Sequence, residues 1–266
     1  MKLGIIGGGV MGEAFVVGLT GRQIAAPSEV TVSDIREDRL CELAGRYGVG
    51  VTADNVECVR GRDVVILAVK PQSLPEVYAD LRGRLDPGQL VISIVAGARL
   101  AQLSLGLDHG PIVRVMPNLP AQIGEGVSVW TAAPEVSAEQ REVARRILGA
   151  LGREVWVPDE AYIDMATAVS GSGPAYIFLF MEAMVDGAVH IGLPREVARE
   201  LVIQSFVGAA LFARQSGRHL AELKNMVTSP GGTTTEGLLM MEDAAIRAAI
   251  IRGIAAAYEK SRNLGR

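Results

Sequence analysis

Two periods of apolar residues divide this chain. Leu3-Gly4-Ile5-Ile6 is a continuous apolar run, the pattern of a strand covered on both faces. Val30-Thr31-Val32, residues 63–69 and residues 91–95 repeat it, and residues 10–19 carry a helical pattern. Residues 126–130 and 154–157 alternate apolar with polar positions, which predicts strands, with a helix over 136–151 between them. Past Pro158 the strand signals vanish. Helices are predicted over 159–169, 175–191, 195–215 and 243–261, with Ser172 capping the second of these and Pro174 just inside its start. The pattern therefore predicts an α/β domain over 1–158 and an all-α domain over 159–266. The 175–191 helix is apolar nearly all round, so it must be enclosed by its own domain or by a second subunit. A helical domain this short buries little surface alone, which favours an intertwined dimer.

Composition narrows the partners. The 266 residues are 49% apolar and 21% charged, ordinary for a soluble globular protein. The net charge is −4 and the four lysines, Lys2, Lys70, Lys224 and Lys260, form no cluster. Neither a nucleic acid nor an anionic membrane is expected as a partner. Cys41 and Cys58 have no metal or disulfide spacing, and His109, His190 and His219 are isolated, so no metal site is expected. Residues 174–193 are apolar enough to raise a membrane span, but Glu182, Asp186 and His190 interrupt them, and a buried helix is the better reading. The chain opens directly on a strand without a leader pattern, and a cytoplasmic setting is expected.

The first strand runs into Gly7-Gly8-Gly9-Val10-Met11-Gly12 and then a helix. Gly7, Gly9 and Gly12 fill the GxGxxG positions in the strand–turn–helix context of a Rossmann-type dinucleotide site. The first glycine permits the turn, the second admits a pyrophosphate and the third brings helix onto strand. Ser33 and Asp34 end the second strand, with Asp34 about twenty residues beyond the last glycine, where an acid meets the adenosine ribose. Such an acid favours NAD, whereas Arg36 could pair with the 2′-phosphate of NADP. Asp34 is equally readable as a turn or cap residue. Ligands of such sheets bind beyond the carboxyl ends of the strands, which draws in Ala68, Val69, Lys70 and Pro71 after the third buried run, and Ala96 and Gly97 after the fourth. Lys70 has two readings, as lining the cofactor or as a plain solvated lysine.

A second site is predicted at Ser229-Pro230-Gly231-Gly232-Thr233-Thr234-Thr235-Glu236-Gly237. Ser-Pro and Gly-Gly forbid regular structure, and Thr233 with Glu236 has the spacing of a capping box before the apolar run 238–241. A helix start after two glycines suits a small carboxylate or phosphate. The alternative is an ordinary capped helix.

The GxGxxG turn, Ala68-Val69-Lys70-Pro71, Met116-Pro117-Asn118, Ser170-Gly171-Ser172-Gly173-Pro174-Ala175-Tyr176 and the 229–234 loop occur in one order over essentially the whole chain. In that order they resemble the pyrroline-5-carboxylate reductase family. The resemblance implies a Rossmann-type domain followed by an all-α dimerisation domain, and reduction of the imine 1-pyrroline-5-carboxylate to proline by NADPH or NADH. It implies a homo-oligomer built from intertwined dimers. It also places Asn55 and Asn118 with the cofactor-contacting residues, although Asn118 could instead be a turn residue. By the same resemblance Thr234 sits at the substrate nitrogen, Ser229, Gly231, Gly232 and Thr233 hold the carboxylate, and Glu160 lies near the substrate. The alternative for Glu160 is a first-turn acid and nothing more. Ser170 and Ser172 lack a base and read as turn and cap. A hydroxyacid dehydrogenase would need a lysine on the helix after residue 174, and no lysine lies between Lys70 and Lys224. A non-enzymatic dinucleotide sensor is the other alternative, against which the intact 229–234 loop argues.

Overall fold

A computed structural model describes residues 1–264. By compactness the chain divides into two units: Met1–Ser172 together with the chain from Ala257 onward, and Gly173–Ala256.

The first unit is built on β1 (Leu3–Ile6), α1 (Val10–Gly21), β2 (Val30–Ser33), α2 (Glu37–Tyr47), β3 (Gly50–Thr52), α3 (Asn55–Val59), β4 (Val64–Leu67), α4 (Leu74–Leu81), β5 (Leu90–Ser93), α5 (Leu100–Leu107) and β6 (Ile112–Met116). β7 (Gly126–Ala132), α6 (Ala138–Gly149), β8 (Gly152–Trp156) and α7 (Ala161–Ala166) follow. The eight strands form one sheet in the order β3-β2-β1-β4-β5-β6-β7-β8, parallel throughout except for the β6–β7 pair. The order reverses at β1 and β4, the switch point of a doubly wound sheet. β1, β4 and β5 are buried on both faces, as their continuous apolar runs demand. One core gathers Phe15 and Leu19 of α1 with Leu3, Ile5 and Ile66 of the sheet, and a second on the opposite face gathers Ile6, Leu67, Leu81 and Leu103. The edge strand β3 escaped the sequence reading because its three residues are largely exposed and carry no apolar run.

Helical order continues where a break was expected. α7 leads into a π turn at Thr167–Gly171 and then α8 (Gly173–His190), so the chain is helical from Ala161 to His190. Ser172 therefore caps no helix start. Its N–H reaches back to the Thr167 carbonyl at 2.8 Å. The widened turn has already interrupted the usual ladder where Pro174, with no N–H to give, enters the helix. α7 belongs with the sheet, because Glu160 and Asp164 are bonded to Arg114 of β6. The division by compactness consequently falls beyond the loss of strand signals at Pro158.

The second unit contains α8, α9 (Arg195–Ser216), α10 (Leu220–Met226), α11 (Thr233–Asp243) and most of α12 (Ile246–Asn263). α12 starts later than the residue 243 expected, because α11 runs to Asp243 and Ala245 adopts a left-handed conformation between them. α8 and α9 pack on one another, yet Ala198 and Val202 are the buried aliphatic side chains of this unit apart from Pro174 among the described residues. Phe178, Leu179, Phe212, Met240 and Ile251 are all more than half exposed in the single chain. The run Ala161–His190 is long and apolar enough to cross a membrane by length and composition alone. Asp164, Glu182 and Asp186 fall inside it.

Candidate active site

The turn between β1 and α1 is held from several sides. Gly7 N–H donates to the Ser33 carbonyl at 2.7 Å, joining the turn to the end of β2. A Cβ on Gly12 would lie 2.0 Å from the Gly7 carbonyl oxygen, so only glycine lets α1 sit this close to the turn. At Gly9 a Cβ would meet nothing within 4 Å, so the space over the helix start is open. The Gly8 peptide is fixed at both ends: its N–H donates to Asp34 Oδ2 at 2.8 Å, and its carbonyl accepts from Arg39 Nε at 2.6 Å. Arg39 also bonds Glu13 Oε2 at 2.5 Å. The Tyr47 hydroxyl, opposed by burial and helped by Arg39 and Arg46, holds the Glu13 carboxyl below the usual carboxylate range. That acid in the first turn of α1 is thus tied to cations instead of facing the open helix start.

Beyond this turn lies a cavity of about 640 Å³ at the carboxyl ends of β1, β2 and β4. Of the residues expected at a cofactor, Gly7, Gly9, Val10, Ser33, Asp34, Arg36, Asn55, Ala68, Val69 and Lys70 line it. Gly8, Met11 and Gly12 lie behind it, in the turn and in the packing of α1. The Asp34 side chain is 12% exposed. Its Oδ1 accepts from Arg36 N–H at 3.0 Å and faces Arg36 Nε at 3.5 Å. Asp34 is therefore a turn residue and a lining residue together. Ser33 Oγ donates to Asn55 Oδ1 at 2.7 Å, and Asn55 Nδ2 donates to Asp80 Oδ2 at 2.8 Å, a bonded chain across the cavity. The sequence reading missed Ser73, Glu76, Val77 and Asp80, which line the cavity from α4 and its approach. Their spacing along one helix face after Pro71 was the available signal.

Other expected residues lie elsewhere. Pro71, Ala96 and Gly97 line a separate groove of about 520 Å³. Asn118 uses its side-chain oxygen to accept from Val127 N–H at 2.9 Å, a backbone tie of the kind left open by the sequence. Glu160 Oε1 accepts from Leu100 N–H at 2.7 Å and from Arg114 Nη1 at 2.8 Å. Burial pushes the Cys58 thiol up to about 11, which rules it out as a nucleophile near neutrality. No group of three or more metal-ligating side chains occurs among the described residues.

Ser229, Gly231, Gly232, Thr233 and Thr234 all belong to the second unit. Gly232, and not Thr233, is the N-cap of α11, so the capping box expected at Thr233 and Glu236 is absent. The loop closes through Ser229 instead, whose carbonyl accepts from Gly232 N–H at 3.1 Å and from Thr235 Oγ1 at 2.9 Å. A Cβ on Gly232 would lie 2.4 Å from Ser229 Oγ. Thr233 and Thr234 N–H, and the Thr234 hydroxyl, have no partner among the described residues. They present donors at a helix start, where an anion is favoured.

Residues 160–264 match the family described as pyrroline-5-carboxylate reductase dimerisation, and residues 2–97 the family described as NADP oxidoreductase coenzyme F420-dependent. The chain is 42% identical to a pyrroline-5-carboxylate reductase of Synechocystis sp., over 100% of this chain and 99% of that one. Among solved structures it is similar to a pyrroline-5-carboxylate reductase from Coxiella burnetii, with a TM-score of 0.92 and 35% identity over 100% and 98% of the two chains. The Plasmodium falciparum pyrroline carboxylate reductase with NADP bound gives 0.90 and 30% over the same shares.

Proposed function

The chain belongs to the pyrroline-5-carboxylate reductase family, and from that premise we propose that it reduces 1-pyrroline-5-carboxylate to L-proline, the last step of proline biosynthesis, with NADPH or NADH. The observation that carries the reading is the open glycine turn leading into a cavity lined by Asp34, Arg36, Asn55 and Lys70. A nicotinamide cofactor held in this cavity would supply the hydride that reduces the imine carbon. The protein's residues bind and orient. The open space at Gly9 and the first turn of α1 suit a pyrophosphate. Ser33, Asp34 and Arg36 would hold the adenosine end. Arg36 attracts a 2′-phosphate and Asp34 repels it, so both cofactors are accepted.

For the substrate, the N–H groups of Thr233 and Thr234 would take the carboxylate, with Ser229, Gly231 and Gly232 shaping the loop. The Thr234 hydroxyl would donate to the ring nitrogen as it gains electron density and is protonated. Such chemistry asks mainly for proximity and orientation, and neither a metal nor a covalent nucleophile is required. The 159–266 region serves as dimerisation and substrate domain, the exposed apolar side chains of α8 and α9 being covered by a second copy in an intertwined dimer. The setting is cytoplasmic.

The test is loss of NADPH and NADH absorbance with pyrroline-5-carboxylate and, separately, with its six-membered analogue. Turnover of the five-membered ring is expected with either cofactor. No turnover of it by a protein that binds NADPH would sink the reading, and preference for the larger ring would reassign the substrate.

A further inference from the structure

We propose that Arg114 is a positioning residue for turnover, acting through Glu160 and Asp164 on the segments at the carboxyl edge of the sheet. The inference rests on the reductase reading above. Arg114 lies in β6 between Val113 and Val115, with a side chain only 3% exposed. A guanidinium so buried persists only with excellent partners. It has two: Nη1 donates to Glu160 Oε1 at 2.8 Å and Nη2 to Asp164 Oδ1 at 2.7 Å. The two carboxylates lie four residues apart at the start of α7, so the planar fork fixes that helix start against β6.

The network continues to a third segment. Glu160 Oε1 also accepts from Leu100 N–H, the first residue of α5. Residues 94–99, which precede it, leave the carboxyl end of β5 and contain Ala96 and Gly97. Two residues along β6 from Arg114, the Met116 methyl lies 2.7 Å from where a Cβ on Gly171 would stand. The π turn thus rests on the same strand. Through Glu160 and Asp164, one cation therefore ties together the start of α5, the middle of β6 and the start of α7. In doubly wound sheets this is the edge where ligands react. An apolar side chain of similar size could fill the volume without loss of stability. What the fork supplies beyond that is a fixed arrangement of three backbone segments, while the adenosine end of the cavity is left untouched.

The test uses the full chain with Arg114→Lys, Glu160→Ala and Glu160→Gln, reading kcat, KM for pyrroline-5-carboxylate, NADPH Kd by fluorescence, and Tm. Lysine keeps the charge but replaces the planar fork, whose two nitrogens each hold one carboxylate, with a single ammonium nitrogen, and alanine removes the link to Leu100. Both are expected to lower kcat about tenfold or more while moving NADPH Kd less than about threefold, as misorientation without lost binding does. Glu160→Gln keeps an oxygen for Leu100 N–H and should recover most of kcat. If Arg114→Lys does not fold, Glu160→Ala decides, since Glu160 is more exposed than Arg114. Folded variants with the parent kcat overturn the proposal. So does a loss of kcat matched by equal losses of NADPH affinity and Tm, which is structural damage alone. A parent protein that binds NADPH without turning over the imine overturns the reductase reading and this inference with it. Parent turnover beside unaffected variants overturns the inference only.

Discussion

At Gly12 an added methyl would meet the Gly7 carbonyl oxygen at 2.0 Å, and at Gly9 it would meet nothing within 4 Å. The two positions should therefore fail differently. Gly12→Ala is expected to destabilise the fold by about 1–3 kcal/mol, the usual cost of overpacking, and to lose cofactor binding with it. Gly9→Ala should keep the parent Tm and weaken NADPH and NADH alike, because its methyl occupies the space proposed for the pyrophosphate. Thermal unfolding beside cofactor titration separates them. At the ribose end, Asp34 already accepts the Gly8 and Arg36 N–H groups. Asp34→Ser removes a charge that repels a 2′-phosphate, but also removes an acceptor that holds the turn. The expected outcome is a higher KM for both cofactors, with the kcat/KM ratio moving toward NADPH by roughly tenfold, the scale of one charge contact. Arg36→Ala should weaken NADPH and spare NADH. Unmoved ratios in both variants would mean that neither residue faces the ribose.

At the scale of elements, α11 shows how a loop can build donors without a side-chain cap. Gly232 takes the N-cap position, Ser229 closes the loop through its carbonyl, and the Thr234 hydroxyl is left without a partner among the described residues. Thr234→Ala thus removes no side-chain hydrogen bond to any of the described residues. It should fold as the parent does and keep its NADPH affinity. If the hydroxyl donates to the imine nitrogen, kcat should fall roughly tenfold to a hundredfold, below the loss typical for a donor to a full oxyanion. Parent-like kcat in a variant with normal NADPH binding would remove Thr234 from the mechanism. The π turn before α8 is the corresponding device in the first unit. It lets the helix pass Pro174 and seats Gly171 against Met116.

On the scale of the whole molecule, the two units contrast in burial. The first has a double-sided sheet with apolar cores on both faces. The second exposes Phe178 at 53% and Leu179 at 63% on α8, and Phe212 at 51% on α9. Apolar surface on that scale marks an interaction face. The protein is expected to sediment as a dimer or a multiple of one at micromolar concentration. Leu179→Glu should shift it toward monomer and lower its Tm, because a charge would be buried without a partner at the interface. A stable folded monomer of the parent chain would refute an interface there.

By itself, the sequence determined the strand–turn–helix start, the positions of the apolar strands along the chain and the helical second half. These follow from local periodicity and from glycines at fixed spacing, which few other structures satisfy. It also carried most of the residues that line the cavity, because they sit at strand ends that the same pattern locates. Tertiary structure alone decided the rest. The antiparallel placing of β7, the exposed edge strand β3 and the α4 face in the cavity depend on pairing between distant segments. The helix running through Ser172 and Pro174 depends on a backbone register that local signals for a cap and a helix start contradicted. Nothing local to Arg114, between Val113 and Val115 in an apolar strand, names its partners; only the fold brings Glu160 and Asp164 to it from about fifty residues away.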